Sequence, residues 1–534
     1  MTRYFLLFLF FVFTLKAEPL FEAYHDNKEL DQFINSLNSQ YLKKEILGKT
    51  LGANTIHCLK FSSGKETKPA ILILGDTNPA SPAGTEIILQ WLKKSVQNKA
   101  ELEALLESCS LYIIPRPFPD ALDSFFNKPY RENQLNKTPV DSDSDLELNE
   151  DGFEDLNGDG FISVIRIKDD NGTFFEHKDS PLLMTKTKND KSASYRLISE
   201  GIDNDKDEAF NEDPAGGVNP NKNFSFSYPY FQKDSGIHQF SETESKAIAD
   251  FAFKHPEIFL VFSFSSEDNL VKPWKEDPQK KKASIRSTVY QEDEVFFELY
   301  SSKFKSAFDI KKLNHSKNTA NGSLAHWAYY HFGRISLTTT PWEIPADEIK
   351  GEQAAEIKEL EWLKKNRPQA LSQWSRIKHP DFPGKICEVG GIKPFFSFVP
   401  DIDVCTQKAE KFNSFIQSIK DCRPKLLVTE FKTEKLSDSL SRLTLKIKNE
   451  GTLPFRSKIG EESRKIHPLN ISLDLPKTWS LYNGHIKTQI GNLKVKEEKE
   501  ISWLIITDGI DRHVKARFSS PQIIDFHAVT GEKK

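Results

Sequence analysis

Asp155, Asn157 and Asp159, followed by Gly160 and Ile162, set oxygen donors at every second position ahead of a glycine. This is the first half of an EF-hand-type calcium loop: positions one, three and five supply ligands and a glycine at position six turns the chain. The bidentate Glu needed at position twelve is replaced by Arg166. A complete loop of this kind is excluded, and sites shared with other acidic segments stay open. Asp141, Asp143 and Asp145 form a second ladder, and Asp203, Asp205 and Asp207 a third. Leu146 and Glu208 occupy their glycine positions, which weakens the expected turns. Calcium as a structural ion is what the pattern predicts; a solvated acidic loop is the alternative.

Other metal-binding side chains are dispersed. Cys58, Cys109, Cys387, Cys405 and Cys422 make neither a CxxC pair nor a Cys/His cluster, so no cysteine-bound metal is expected. An odd, sparse set is not a disulfide framework. Cys58 and Cys109 lie in or beside apolar strand-like stretches and read as buried thiols. One bridge, Cys405 with Cys422, stays open.

The three ladders lie in an acidic, Gly/Asn-rich insert over residues 127–223. Such a length without strong periodicity is unusual in a compact domain, so something other than a core must order it. Around it, residues 18–400 alternate two patterns. Helical periodicity covers 28–43, 85–94 and 242–254; short apolar strands cover 55–61, 68–74, 110–115 and 258–264. The expected fold is α/β, a mixed and largely buried sheet with flanking helices. A helix within 401–422 is suited to joining two domains. From 423 to 534 short strands alternate apolar and polar residues between turn signals, as in Arg442 to Lys448. An Ig-like antiparallel β-sandwich is expected there.

A chain of 534 residues suits two or three domains. The formal net charge of −4, with Lys and Arg scattered, gives no ground for a nucleic-acid partner. Arg3, the apolar run 4–15 and Ala17 form the pattern of a secretory signal peptide over residues 1–17. The run is short for a membrane span, and no later segment is apolar enough for one. A secreted or periplasmic protein is expected.

Several motifs then fall in a telling order: Tyr24-His25-Asp26 before a helix, Pro115 to Asp120, Glu154 to Gly160, Glu200 to Asp205, Gly216 to Phe224 (GGVNPNKNF), Ser241 to Glu244, and Trp327 to Trp342. Together they resemble the zinc carboxypeptidase family of the metallocarboxypeptidase A type, in particular its large secreted bacterial members. The resemblance implies a zinc ion held by two His and one Glu with water in the open position, a Glu as general base, and an Arg fork on the substrate's terminal carboxylate.

At the positions the resemblance assigns to these roles, the residues differ. The first two zinc ligands fall at Asn78 and Ser81, with Gly84-Thr85-Glu86 keeping the register. The third falls at Phe264, or at Ser265 beside it, ahead of Pro273. The general base becomes Thr340, and the Asn-Arg couple becomes Asn221-Lys222. An amide, a hydroxyl and a phenyl ring give no basis for tight zinc binding. Nearby groups offer no replacement cluster: Glu86 reads as a surface helix carboxylate, strand alternation turns Glu343 away from Thr340, His255 caps a helix or is solvated, and His326 is structural or solvated. Lys222 keeps a cation for an anionic or peptide C-terminal group; an ordinary cation in a vacant cleft is the alternative. The expected function is an exported, catalytically inactive zinc carboxypeptidase homologue with a peptide-binding or scaffolding role. The alternatives are an active metallocarboxypeptidase with other ligands, and a structural cell-envelope protein contacting its neighbours through the β-domain.

Overall fold

The computed structural model describes residues 20–64, 67–141, 145–178, 180–186, 194–211, 213–214, 216–271, 273–274, 276–310, 321–345 and 355–531. The leader expected over 1–17 and Asp143 lie outside them.

Helix α1 (Asn27–Ser36) opens on a capping box: Asp26 accepts the Glu29 N–H, and the Glu29 side chain accepts that of Asp26. It stops short of the 28–43 periodicity because residue 42 begins β1 (Leu42–Lys49), which pairs antiparallel with β2 (Thr55–Phe61). Then come β3 (Ala70–Asp76), α2 (Ala83–Gln97), α3 (Lys99–Ser108), β4 (Ser110–Ile114) and the short α4 (Asp123–Phe126). The insert contributes β5 (Val164–Lys168), β6 (Phe174–His177), β7 (Ser180–Lys186) and β8 (Tyr195–Ser199). After it run α5 (Thr243–Lys254), β9 (Ile258–Phe264), α6 (Pro278–Lys282), α7 (Glu294–Phe308), α8 (Leu324–Tyr330) and β10 (Ile335–Thr339). The domain closes with α9 (Ala355–Asn366), β11 (Leu371–Ile377), β12 (Cys387–Ile392) and α10 (Ile402–Ile419).

The main sheet has the order β1-β2-β4-β3-β9-β10. β3 runs parallel to β4 and β9, and β9 parallel to β10, while the β1/β2 and β2/β4 pairs are antiparallel. Every residue of β3 and β4 is buried, as expected of strands covered on both faces. The helix expected to join the domains is α10. Its apolar face (Phe412, Phe415, Ile416, Ile419) completes the first domain's core against α2 and α7.

The insert was expected to lack a core, and part of it has one. Its strands join later ones in a second sheet, β11-β12-β5-β8-β6-β7, around Ile165, Ile167, Cys387 and Val389. Half of that small core comes from residues some 220 positions downstream of the others, which local patterning cannot register.

The C-terminal region is an antiparallel β-sandwich. β13 (Leu426–Lys435), β14 (Leu440–Asn449), β15 (Leu469–Asp474), β16 (Ser480–Asn483), β17 (Lys487–Ile490), β18 (Glu498–Ile506), β19 (Lys515–Ser519) and β20 (Phe526–Val529) form two sheets, β13-β14-β18-β16 and β17-β15-β19-β20. Leu443, Leu445 and Ile447 share one core with Trp503 of the same sheet and with Ile471 and Phe518 of the other, the period-two pattern of a half-buried strand. The buried Asp293 ties the two domains together. Its Oδ2 accepts the Ile459 N–H at 3.0 Å and the Tyr329 hydroxyl at 2.8 Å.

All five cysteines are free and buried, so the Cys405–Cys422 bridge does not form. Cys405 lies in the first turn of α10 and Cys422 just beyond its end. The helix from Cys405 to Ile419 alone spans about 21 Å at ~1.5 Å per residue, far beyond disulfide reach.

Candidate functional site

The carboxyl ends of β3, β9 and β10 lie side by side. Thr77 donates its N–H to Phe264 O at 2.7 Å, and Ser265 donates its N–H to Thr339 O at 2.9 Å. Asn78, Ser81, Phe264 and Thr340 are therefore brought to one edge of the sheet, as the resemblance implies.

Within that edge the side chains have local duties. Asn78 Oδ1 accepts the Ala80 N–H at 3.4 Å, and Ser81 Oγ accepts the Ala83 N–H at 3.3 Å, the turn-forming use of Asn and Ser. Asp76 organises the same loop: Oδ1 accepts the Asn78 N–H at 3.1 Å, and Oδ2 accepts the Gly84 N–H at 3.2 Å. Burial pushes the Asp76 carboxyl up to about 7, against the opposing pull of Ser81 and these two amides. Gly84 lets α2 start this close to β9, since a Cβ there would lie 2.6 Å from Phe264 Cβ. Phe264 itself turns away from the loop. Its ring packs against Phe262 and Phe412 at 5.1 and 5.4 Å, in the core under α10. Ser265, one residue on, is buried with a hydroxyl that has no partner.

Two expectations for neighbouring carboxylates are corrected. Glu86 is not a surface residue. It is 1% exposed and accepts from His25 Nδ1 at 2.8 Å and from Gln90 at 2.7 Å, and the hydrogen bond to Glu86 raises the His25 pKa. The first-turn position of Glu86 gave no sign that the N-terminal segment would cover it. Glu343 is not turned away either. β10 ends at Thr339 and the chain bends at Pro341, so alternation no longer applies and Glu343 Oε1 accepts the Thr340 hydroxyl at 3.2 Å.

Asn221 and Lys222 lie in a single 3₁₀ turn. Asn221 is buried, and its Oδ1 accepts the Leu324 N–H at 3.0 Å, the first residue of α8. Lys222 Nζ is ion-paired with Asp234. On α8, His326 is 2% exposed and neither ring nitrogen has a partner. Burial drives its pKa down to about 3, so it is a neutral imidazole rather than a solvated one. It stands among Trp274, Phe226 and Tyr330, with ring centroids 4.5 to 5.7 Å away. Sequence reasoning missed this aromatic group, whose members lie in three separate segments. His255 caps α5 as expected and contacts Glu257 at 2.7 Å.

Among the described residues, the group of His, Cys, Asp or Glu side chains converging as metal ligands is Asp203, Asp205 and Asp207, with one oxygen from each within 4.8 Å of the others. The ladders at 155–159 and 203–207 adopt one backbone pattern. Asp155 accepts the N–H of Gly158, Asp159 and Gly160, and Asp203 accepts those of Lys206, Asp207 and Glu208. Asp141 accepts that of Leu146. Leu146 and Glu208 take the left-handed conformation of Gly160, with φ of 83°, 74° and 86°, so their side chains do not prevent the turn. Arg166 lies in β5, where Glu388 and Glu176 hold it at 2.8 and 2.9 Å.

The model of the zinc carboxypeptidase family matches residues 29–350. A second model, Domain of unknown function (DUF8731), matches residues 425–526. No curated protein matches the chain. Similar solved structures include thrombin-activatable fibrinolysis inhibitor, at 16% identity and a TM-score of 0.37 over 60% of this chain and 66% of that one, just under two thirds of its length. Carboxypeptidase A from Helicoverpa armigera is similar at 12% identity and a TM-score of 0.40, over 74% of this chain and 73% of that one. A metallo-carboxypeptidase from Burkholderia cenocepacia is similar at 10% identity and a TM-score of 0.37, over 74% and 69%. No helix among the described residues is long and apolar enough to cross a membrane. With more than half of its length matched by the family's model, this chain belongs to the zinc carboxypeptidase family.

Proposed function

We propose that this protein is an exported, catalytically inactive member of its family, and that its cleft serves as a binding or scaffolding surface for peptides or cell-envelope material. The supporting observation is the use made of the ligand positions. Asn78 and Ser81 accept hydrogen bonds from their own loop, and Phe264 is built into the core. An amide, a hydroxyl and a phenyl ring do not fit zinc, whose protein sites use Cys, His, Asp or Glu. Thr340 is no general base at neutral pH. Loss of that role alone removes about 10²–10⁴-fold in rate.

Zinc stoichiometry after metal loading, combined with release of C-terminal residues from peptides, tests this reading. Sub-stoichiometric zinc and no release are expected. One tightly held zinc together with release overturns it, and Glu343→Gln in the same assay shows whether the carboxylate beside Thr340 then acts as base. For the acidic insert we propose calcium as the structural ion, held by the carboxylates of the ladders. A melting temperature lowered by chelator and restored by calcium is the expected sign.

A further inference from the structure

The acidic loops share more than their ladders. Counted from Asp155 and Asp203, the ninth residues are Ser163 and Asn211, and position nine is a ligand position in a calcium loop. Both are buried, at 5% and 7% exposure, and neither the Ser163 hydroxyl nor either atom of the Asn211 amide has a hydrogen-bond partner. Both loops are also gripped in the same way by a buried acid from another segment. Glu200 accepts the N–H of Leu156 and Ser163 at 2.9 Å each. Asp151 accepts those of Asn204 and Asn211. Each acid thus holds the second and ninth residues of its loop, and each is fully buried.

The pairing of segments follows a repeat. Residues 141–151 and 203–213 both read Asp-x-Asp-x-Asp-x-x-x-Asn-Glu-Asp. Asp151 and Asp213 meet in an antiparallel bridge, and Asp213 accepts the Asn149 N–H at 3.1 Å as Asp151 accepts that of Asn211.

We propose that loops 155–163 and 203–211 each hold a calcium ion, with Ser163 and Asn211 as ninth-position ligands, while Glu200 and Asp151, from outside the loops, hold each loop in shape through its second and ninth N–H groups. Oxygen-only donors of this kind suit a hard divalent cation, and an adaptable loop favours calcium over magnesium. The inference rests on the calcium reading given above and adds the ninth-position residue of each site.

The test is calcium titration of the chelator-stripped full-length protein, with magnesium as the comparison ion. Two sites are expected. Asn211→Gly, which keeps the left-handed backbone (φ 59°), weakens one site by about tenfold or more, and Ser163→Ala weakens the other by several-fold. Each variant melts with the wild type in chelator, which separates ion binding from folding. If Asp155→Asn and Asp205→Asn weaken binding while both ninth-position variants bind as wild type, this inference fails and the calcium reading stands. If calcium binds no better than magnesium in the wild type, both fail.

Discussion

Lys222 and Asp234 form an ion pair beside the 3₁₀ turn that carries Asn221. The cation that the resemblance sets at the Arg position is therefore already partnered inside the protein. The pair is about one third exposed on both sides, so water and salt weaken it, and a ligand carboxylate can compete. Lys also lacks the planar two-donor fork of Arg. Asp234→Asn is expected to strengthen binding of a peptide with a free C-terminal carboxylate by about three- to tenfold, and Lys222→Ala to remove that gain. Fluorescence anisotropy with free and amidated peptides checks this. Equal responses of the two peptides rule out carboxylate recognition at Lys222.

Phe264 belongs to the core and not to the cleft. Phe264→Ala is expected to cost about 3–5 kcal/mol, read by urea unfolding. Phe264→His, which supplies the residue type that the resemblance implies there, is expected to destabilise as well and to gain no zinc, because an imidazole directed among Phe262 and Phe412 is desolvated without a partner. Tight zinc binding by a triple variant with Asn78→His and Ser81→Glu would show that the ring position can turn back to the loop.

These two sites show what could be read from the chain alone. The strand at 258–264 and the antiparallel pattern of 442–448 were legible because period-two or continuous apolar runs report burial directly. The positions that the resemblance assigns to metal ligands rest on Gly84 and Pro273 as register marks on either side, and the fold brings them to one edge of the sheet. What escaped were relationships between distant segments: His25 covering Glu86, the strands near 370–392 completing the insert's sheet, and Asp151 and Glu200 clamping loops that begin elsewhere. Alternation also misplaced Glu343, since it assumes a strand that had already ended at Thr339.

The raised pKa of Asp76 makes stability depend on pH in a definite direction. Burial holds its carboxyl near 7, well above the ordinary 3.8. Between those values the folded protein keeps a proton that the unfolded chain has released. Its contribution is therefore greatest in acid, falls as pH rises from about 4 to about 7, and is level above that. Glu244, also buried and pushed up to about 7, acts in the same sense. Asp76 alone accounts for about 2–3 kcal/mol between pH 5 and 7. Asp76→Asn is expected to flatten the urea-derived stability profile over that interval, and an unchanged slope would show that Asp76 is ionised throughout.

The thiols give a last prediction. Cys58, Cys109 and Cys405 are fully buried, and burial pushes their pKa values far above the ordinary thiol range. A thiol held protonated and out of contact with water is a poor nucleophile, so all three should resist a disulfide reagent in the native protein. Cys405 also lies 3.4 Å from the Tyr24 hydroxyl, which donates to Pro400 O, so its sulfur sits in a packed joint between the N-terminal segment and α10. In denaturant all five cysteines should titrate without prior reduction, and a reducing agent should leave the melting temperature unchanged. Three titratable thiols before reduction and five after it would mean that the protein carries a bridge, and α10 would then have to be broken between Cys405 and Cys422 to make one there.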